Sequence, residues 1–458
     1  MNKKSQALKW LLPAVTLSAG AVTGLLLTAG KSATRYVAHE WGTFTSVQGA
    51  DGALLDWRPL ESSHLPRFVY DWKKPGLNRQ PAAQLFPGKG AMLTLQRMET
   101  PVIYFYADKR ATVDVSVHFP RGLITEWYPQ AEQIGPSSVP APRMVATLDK
   151  CAHRAGIKPA FTFASLLPSA AAKDSEARWA KVEIAANSEQ LKLASLLPHD
   201  DSGSHYFTAR DTDSNLLRLP SHETADTGSQ YEKFIFYRGV GNFSTPLHVT
   251  MEANDMITLA NEGMEPLAHL FVLSVKNGGA GYTYVAGLRP GERRRIALNG
   301  RKGQEPLQEV SHRLSVKLAA SLEQQGLYAR EAKAMVRTWK DSWFEEEGVR
   351  VLYVLPRTWT DRTLPLALDP PPHELTRVMV GRAEVLPPQL ERILADDLAK
   401  AEQGDAVARK EFVTEVRKLG RFAEPAFRLA LRGSDSQQGQ QAWALFQSAT
   451  KPEAPQVD

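Results

Sequence analysis

Strand-like segments divided by turns recur along the chain from residue 37 to about residue 300. Residues 112–119 alternate cleanly. Val113, Val115 and Val117 fall on one face and Asp114, Ser116 and His118 on the other, the pattern of a half-buried strand. Residues 37–47, 92–107 and 231–241 are rich in Thr, Val, Ile and aromatic residues and predict longer strands. Pro101 marks its strand as an edge or a strand start. Between 246 and 298 strands are expected at 246–252, 255–261, 268–276, 280–287 and 293–298. Turn chemistry at Ala253-Asn254-Asp255, Glu262-Gly263, Asn277-Gly278-Gly279 and Arg289-Pro290-Gly291-Glu292 divides them. Short strands at this spacing predict a sandwich. Gln48-Gly49-Ala50-Asp51-Gly52 reads as a turn returning the chain through 53–57 in a hairpin. Residues 58–91 read as a long surface connection, 130–200 carry little pattern, and 136–142 resemble a linker. Leu166-Leu167-Pro168 and Leu196-Leu197-Pro198 recur without matching flanks and do not make a repeat.

The period then changes. Residues 307–327 and 329–344 carry apolar side chains at helical spacing, including Leu314, Leu318 and Leu322, then Ala332, Met335, Val336 and Trp339. Gly326 divides them into a helical hairpin, and Gly348 ends it before extended segments at 349–355, 364–368 and 375–385. Amphipathic helices are expected at 388–402, 405–418, 423–432 and 436–448, and a disordered tail at 451–458. The fold class is therefore mainly β, one or two β-sandwich-like domains, with an inserted helical hairpin and a C-terminal α-helical segment. The expected divisions are an N-terminal β-rich domain at 31–230, a sandwich-like region at 231–303, the hairpin with returning strands at 304–387, and the helical segment at 388–450.

The first of the long strands concentrates the chemistry: His39-Glu40-Trp41-Gly42-Thr43-Phe44-Thr45. Strand alternation puts His39, Trp41, Thr43 and Thr45 on one face and Glu40, Gly42, Phe44 and Ser46 on the other. His39 and Glu40 serve one site only if the strand is bulged, and Gly42 is the residue that could accommodate a bulge.

Composition changes this picture little. Hydrophobic residues make up 43% of the 458, charged residues 23%, and 55 basic against 50 acidic residues leave a net charge of +5. No basic stripe interleaved with aromatics appears, so no nucleic-acid partner is expected, and Arg293-Arg294-Arg295 reads as a solvated strand start. The N-terminus changes it more. Lys3, Lys4 and Lys9 precede a charge-free, largely apolar run at 10–29, the pattern of a secretory signal over 1–30. Its length also suits an inner-membrane anchor through 10–29, although Pro13, Gly20 and Gly24 weaken it as a permanent helix. No cysteine directly follows the run, which excludes lipoprotein-type attachment. Cys151 is the only cysteine, so neither an internal disulfide nor a thiolate metal cluster is available. The location expected is periplasmic or secreted.

Candidate catalytic residues are His39, Glu40 and Asp211; candidate binding residues are Trp41, Glu99, Glu126, Arg210 and Arg238. Glu99 and Glu126 could act as an acid/base pair if suitably separated. His199, Asp200, Asp201, His205, Arg210, Asp211 and Asp213 form a polar cluster, but its spacing matches neither a calcium loop nor a zinc helix. It reads as a solvated acidic loop; no metal and no cofactor are expected.

Five segments together are distinctive: His39-Glu40-Trp41-Gly42-Thr43-Phe44-Thr45, Met98-Glu99-Thr100-Pro101-Val102-Ile103-Tyr104-Phe105-Tyr106, Glu232-Lys233-Phe234-Ile235-Phe236-Tyr237-Arg238-Gly239, Thr338-Trp339-Lys340-Asp341-Ser342-Trp343-Phe344 and Arg377-Val378-Met379-Val380-Gly381-Arg382. In these the chain resembles an uncharacterised family of predicted-secreted bacterial proteins. The resemblance implies export and a mostly β architecture, and it carries over no catalytic residue.

Two functional classes follow. One is an exported binding or structural envelope protein that meets a glycan, peptide or envelope protein through aromatics such as Trp41, Trp127 and Tyr237. The other is an extracytoplasmic hydrolase built on His and carboxylate residues. The Gly-x-Ser-x-Gly elbow, the His-Glu-x-x-His helix and the phosphate-binding loop are all missing from the sequence.

Overall fold

Strand β1 (Val37–Gln48) is paired on both edges along nearly its whole length, and that position decides the fate of every side chain on it. The computed structural model describes residues 35–59, 65–71, 93–135, 174–220, 228–298, 304–432 and 436–450, the side chains of 436–440 excepted. The expected signal or anchor, the linker at 136–142, Leu166-Leu167-Pro168, Cys151 and the tail lie outside the described residues.

After β1 the strands are, in chain order, β2 (Leu54–Leu55), β3 (Tyr70–Asp71), β4 (Gln96–Tyr106), β5 (Ala111–Phe119), β6 (Gly122–Tyr128) and β7 (Gln133–Ile134). Next come β8 (Ser175–Ile184), β9 (Leu217–Pro220), β10 (Ser229–Glu232), β11 (Ile235–Gly241), β12 (Leu247–Met251), β13 (Met256–Asn261) and β14 (Leu267–Lys276). The last are β15 (Gly279–Leu288), β16 (Arg293–Ala297), β17 (Glu305–Pro306), β18 (Gly348–Val354), β19 (Leu366–Asp369) and β20 (Glu374–Val385). The helices are α1 (Gln190–Ala194), α2 (Leu307–Gln324), α3 (Ala329–Lys340), α4 (Arg357–Thr363), α5 (Pro388–Glu402), α6 (Ala406–Leu419), α7 (Ala423–Ala430) and α8 (Ser436–Thr450).

An 11-stranded mixed sheet runs β17-β15-β14-β18-β20-β1-β4-β11-β6-β3, with β2 paired antiparallel to the end of β1. β1 lies parallel to β20 and antiparallel to β4. A 6-stranded sheet, β10-β9-β8-β5-β19 with β7 on β8, packs on one face, where Phe44 meets Phe119 and Tyr237 meets Trp179. The result is a mostly β, sandwich-like fold, as the strand pattern predicts. The opposite face of the large sheet is covered by the α2–α3 hairpin and by helices α5–α8. Both faces of β1 are thus dry, and 11 of its 12 residues are buried.

The local choices follow ordinary chemistry. The α2–α3 turn uses Gly326 at φ +102°, and Glu331 reaches back to the Tyr328 amide at 2.8 Å to satisfy the start of α3. Asp405 accepts from the amides of Val407 and Ala408 to begin α6. Pro388 opens α5 at a position where its missing N–H costs nothing. Apolar side chains on these helices, among them Leu394, Phe412, Phe427 and Phe446, close a second core over Val47, Leu55 and Trp57.

Three expectations are corrected. The divisions at 230 and 303 do not separate sheets, because β1 and β4 from the first segment interleave with β11, β14, β15, β18 and β20 from the later ones. Pro101 does not sit on an edge: β4 is flanked by β1 and β11, and the proline is accommodated by a bulge. Residues 175–184, in a stretch with little readable pattern, form β8 at the centre of the second sheet. Lys181 at φ +53° lies in an irregularity that lets Val182 pair with Val113 and Trp179 with Val115, which breaks the alternation.

The expected bulge beside Gly42 exists, but on the neighbouring strand. Trp41 pairs with Val102 and Thr43 with Glu99, so β4 carries the extra residue, with Thr100 at φ +49°. A Cβ on Gly42 would lie 2.9 Å from the Pro101 Cα and 3.0 Å from the Met379 Sδ. Gly42→Ala is expected to destabilise the fold by about 1–3 kcal/mol through overpacking. A shift of the denaturant midpoint measures this, and an unchanged midpoint shows that the bulge can move aside.

Candidate functional site

The two candidates of the opening motif occupy opposite faces. His39 points towards α3, where its Nδ1 lies 2.7 Å from Glu331 Oε2; both side chains are fully buried. Tyr106 donates to the other Glu331 oxygen at 2.7 Å, and the half-exposed Tyr328 ring covers the imidazole with centroids 4.4 Å apart. The His39 Nε2 is buried without a hydrogen-bond partner.

Glu40 points into the sandwich. It accepts from the Tyr237 hydroxyl and from Arg377 Nε at 2.5 Å. Arg377 also donates to the Leu364 carbonyl at 2.7 Å and to Asp361 at 2.8 Å. Burial and the Glu40 charge hold the Tyr237 phenol far above its ordinary pKa, so it remains a donor. Glu40 and Tyr237 raise Arg377 above its usual value and outweigh its burial. Arg377 lies directly across from Glu40 on the parallel neighbour, so this pair joins β1 to β20 in the interior of the sheet.

The His39 face carries a second, larger set of charges. Glu126 on β6 pairs with Arg238 on β11 at 2.8 Å. On β4, Glu99 lies 3.1 Å from Arg97 and accepts from the Thr45 hydroxyl at 3.1 Å. On β20, Arg382 and Glu384 meet at 2.8 Å, and Glu384 also receives Arg350 from β18 at 3.1 Å. Two groups descend from above: Arg421 reaches Glu99 at 2.7 Å, and Glu346 reaches Arg382 at 2.7 Å. Arg350 also donates to the carbonyls of Ser342, Trp343, Glu346 and Glu347, closing the π-helical turn Asp341–Glu345. The charges cross the contiguous strands β18, β20, β1, β4, β11 and β6 beneath the C-terminal helices.

The electrostatics are mutual. Burial pushes the Glu99 carboxyl up, but Arg421, Arg97 and Arg382 together hold it down at about 2. Burial pulls Arg97 down to about 10 against the Glu99 charge. Arg382 is raised because Glu384 and Glu346 outweigh burial.

The remaining candidates scatter. Trp41, Trp127 and Tyr237, expected as surface aromatics, are fully buried. Glu126 does not face a ligand surface, because Arg238 and Thr125 occupy it. Arg210 and Asp211 part company. Arg210 binds Glu232 in bidentate fashion at 2.9 and 2.6 Å and lies over the Phe207 ring, while Asp211 binds Arg330 and Arg337 on α3 at the surface. Those two arginines hold the Asp211 carboxyl at about 2. In the 199–213 cluster, Asp200 caps the amides of Arg67 and Ser202, His199 stacks on Phe207, and His205 lies 3.7 Å from Asp341. Among the described residues no group of His, Cys, Asp and Glu converges as metal ligands, and no helix is long and apolar enough to cross a membrane.

Sequence reasoning missed Glu331, Arg377, Arg382, Glu384 and Arg421, which partner the motif strands. One signal was available: Arg97-Met98-Glu99 and Arg382-Ala383-Glu384 repeat an Arg-x-Glu spacing that places opposite charges on one strand face.

The exposed chemistry lies elsewhere. A cleft of about 190 Å³ at the end of the second sheet is lined by Arg110, Glu183, Glu189, Lys192, Arg218 and Tyr231, together with Ala185 and Leu193. Arg110 pairs with Glu189 and Arg218 with Glu183. Lys192 on α1 forms no salt bridge among the described residues. Beside it Leu191 is 93% and Leu196 49% exposed.

No family model matches the chain. No curated protein matches it either. Among solved structures it is similar to the Fcho1 Mu homology domain of Danio rerio with bound Eps15 peptide, at 7% identity and a TM-score of 0.25. That likeness covers 77% of this chain and 97% of the other, and is too loose to carry an argument about fold or partner.

Two outcomes are expected of the buried charges. Arg377→Met leaves Glu40 uncompensated in the interior and is expected to cost about 3–5 kcal/mol of stability, read from urea unfolding. Because the folded-state pKa of Glu99 is depressed from 4.5 to about 2, its contribution is present above pH 4.5 and is lost as pH falls towards 2. Glu99→Gln should therefore flatten the acid limb of stability against pH, and an unaltered acid limb refutes this assignment.

Proposed function

We propose that the protein is an exported, non-catalytic binding protein of the cell envelope whose recognition surface is the α1 edge and its cleft. One observation carries this reading: the charged groups of the opening motif are occupied in the core, His39 by Glu331 and Glu40 by Arg377, while a cation and apolar side chains gather at one exposed edge. Lys192 offers a positive charge between Leu191 and Leu193, and Tyr231 offers an aromatic face in the same cleft. That chemistry suits an extended peptide segment with an acidic residue flanked by apolar ones. The N-terminal pattern of residues 1–30 supports export.

The binding reading is tested with a panel of synthetic acidic-apolar peptides and fluorescence polarisation. Leu191→Asp and Lys192→Glu should each weaken binding by about tenfold or more, with thermal stability unchanged because both side chains are exposed. Equal affinity in wild type and both variants removes the cleft from consideration.

A hydrolytic reading keeps one observation in its favour. Glu331 orients His39, and the Tyr328 ring covers the imidazole, whose Nε2 has no hydrogen-bond partner, the arrangement of a general base behind a cover. Chromogenic ester and glycoside panels decide between the readings. Turnover by the wild type or by Tyr328→Ala, abolished by His39→Ala in a folded protein, overturns the non-catalytic proposal.

A further inference from the structure

The charge layer beneath the C-terminal helices is not closed. Two of its arginines, Arg382 and Arg421, carry buried donors with no acceptor. Arg382 uses Nε and Nη2 on Glu384 and Glu346, and its Nη1 is buried with no partner. Arg421 uses Nη1 on Glu99, and its Nε and Nη2 are buried with no hydrogen-bond partner.

The two guanidinium groups are neighbours. Both guanidinium carbons lie over the Phe422 ring, 5.1 and 4.9 Å from its centroid. Both groups also approach one oxygen, Glu346 Oε2, at 2.7 Å from Arg382 and 3.6 Å from Arg421. The Thr43 hydroxyl, on the same face of β1 and opposite Glu99, is likewise buried and unpartnered.

A buried guanidinium N–H left without an acceptor is strongly disfavoured, and a charged acceptor satisfies it better than a neutral one. The Arg382 side chain is fully buried and Arg421 is 15% exposed, while Glu346 is 39% exposed, so the spot adjoins solvent through the Glu346 side. We propose that this spot is a binding site for a small inorganic anion, of the halide or phosphate class, held between Arg382 and Arg421. The anion supplies the missing acceptor. It also fastens the C-terminal helices, because Arg421 and Phe422 belong to the short turn between α6 and α7 and Arg382 belongs to the sheet.

The experiment uses the full chain. Thermal melts are recorded in sodium chloride, bromide or phosphate against sodium gluconate at matched ionic strength, and crystals are soaked in bromide for anomalous diffraction. The expected result is a saturable rise in Tm with the small anions and none with gluconate. A bromide peak should lie within hydrogen-bonding distance of Arg382 Nη1 and Arg421. Arg421→Gln should remove the anion dependence. Identical melts in all matched salts, or density at the site that is water alone in bromide-soaked crystals, overturns the proposal. If Arg421→Gln does not fold, the wild-type diffraction result decides.

Discussion

A carboxylate and a guanidinium removed from water together are stable only if each fills the other's hydrogen-bonding capacity. The large sheet depends on this constraint. Its central strands are covered on both faces, so a charged side chain they carry is costly unless it is paired. Glu40 meets this demand through Tyr237 and Arg377, and His39 meets it on one ring nitrogen through Glu331. The effect is positional rather than simply stabilising. An ion pair buried between β1 and β20 penalises a one-residue slip, which would move Glu40 away from Arg377 and into apolar packing.

The same constraint ties the helices to the sheet. Arg350 gathers the carbonyls that end the π-helical turn, Glu346 from that turn joins Arg382, and Arg421 brings the helical segment down on Glu99. Apolar contacts around Phe427 and Phe446 would accept many docking angles, whereas the charged contacts accept few. The C-terminal helices are thus held in orientation by electrostatics and in place by burial.

Local rules made much of this architecture readable. The strands from 246 to 298 and the helices after 307 lie within a few residues of where alternation and helical period place them, because those elements keep one apolar face. Two kinds of feature escaped. β8 was hidden by its irregularity at Lys181, which shifts the apolar positions from one parity to the other. The charge layer was hidden because Arg97, Glu99, Arg382 and Glu384 read as a solvent face when a strand is considered alone. Only the tertiary arrangement, with helices laid over that face, turns them into core residues. The separation of His39 from Glu40 followed from alternation, but the identity of Glu331 as the histidine's partner, 292 positions away, has no local signature.

The parallel pairing of β1 with β20 has a temporal side. β1 is the first described strand to leave the ribosome, and one of its two hydrogen-bonding edges stays open until residues 374–385 have been made. During that interval a long segment of Val, Thr and aromatic residues presents unpaired amides and carbonyls, the form of chain most prone to join its copies. Folding is therefore governed by a late, non-local closure. A chain stopped before residue 374 holds an uncapped template rather than a smaller version of the fold.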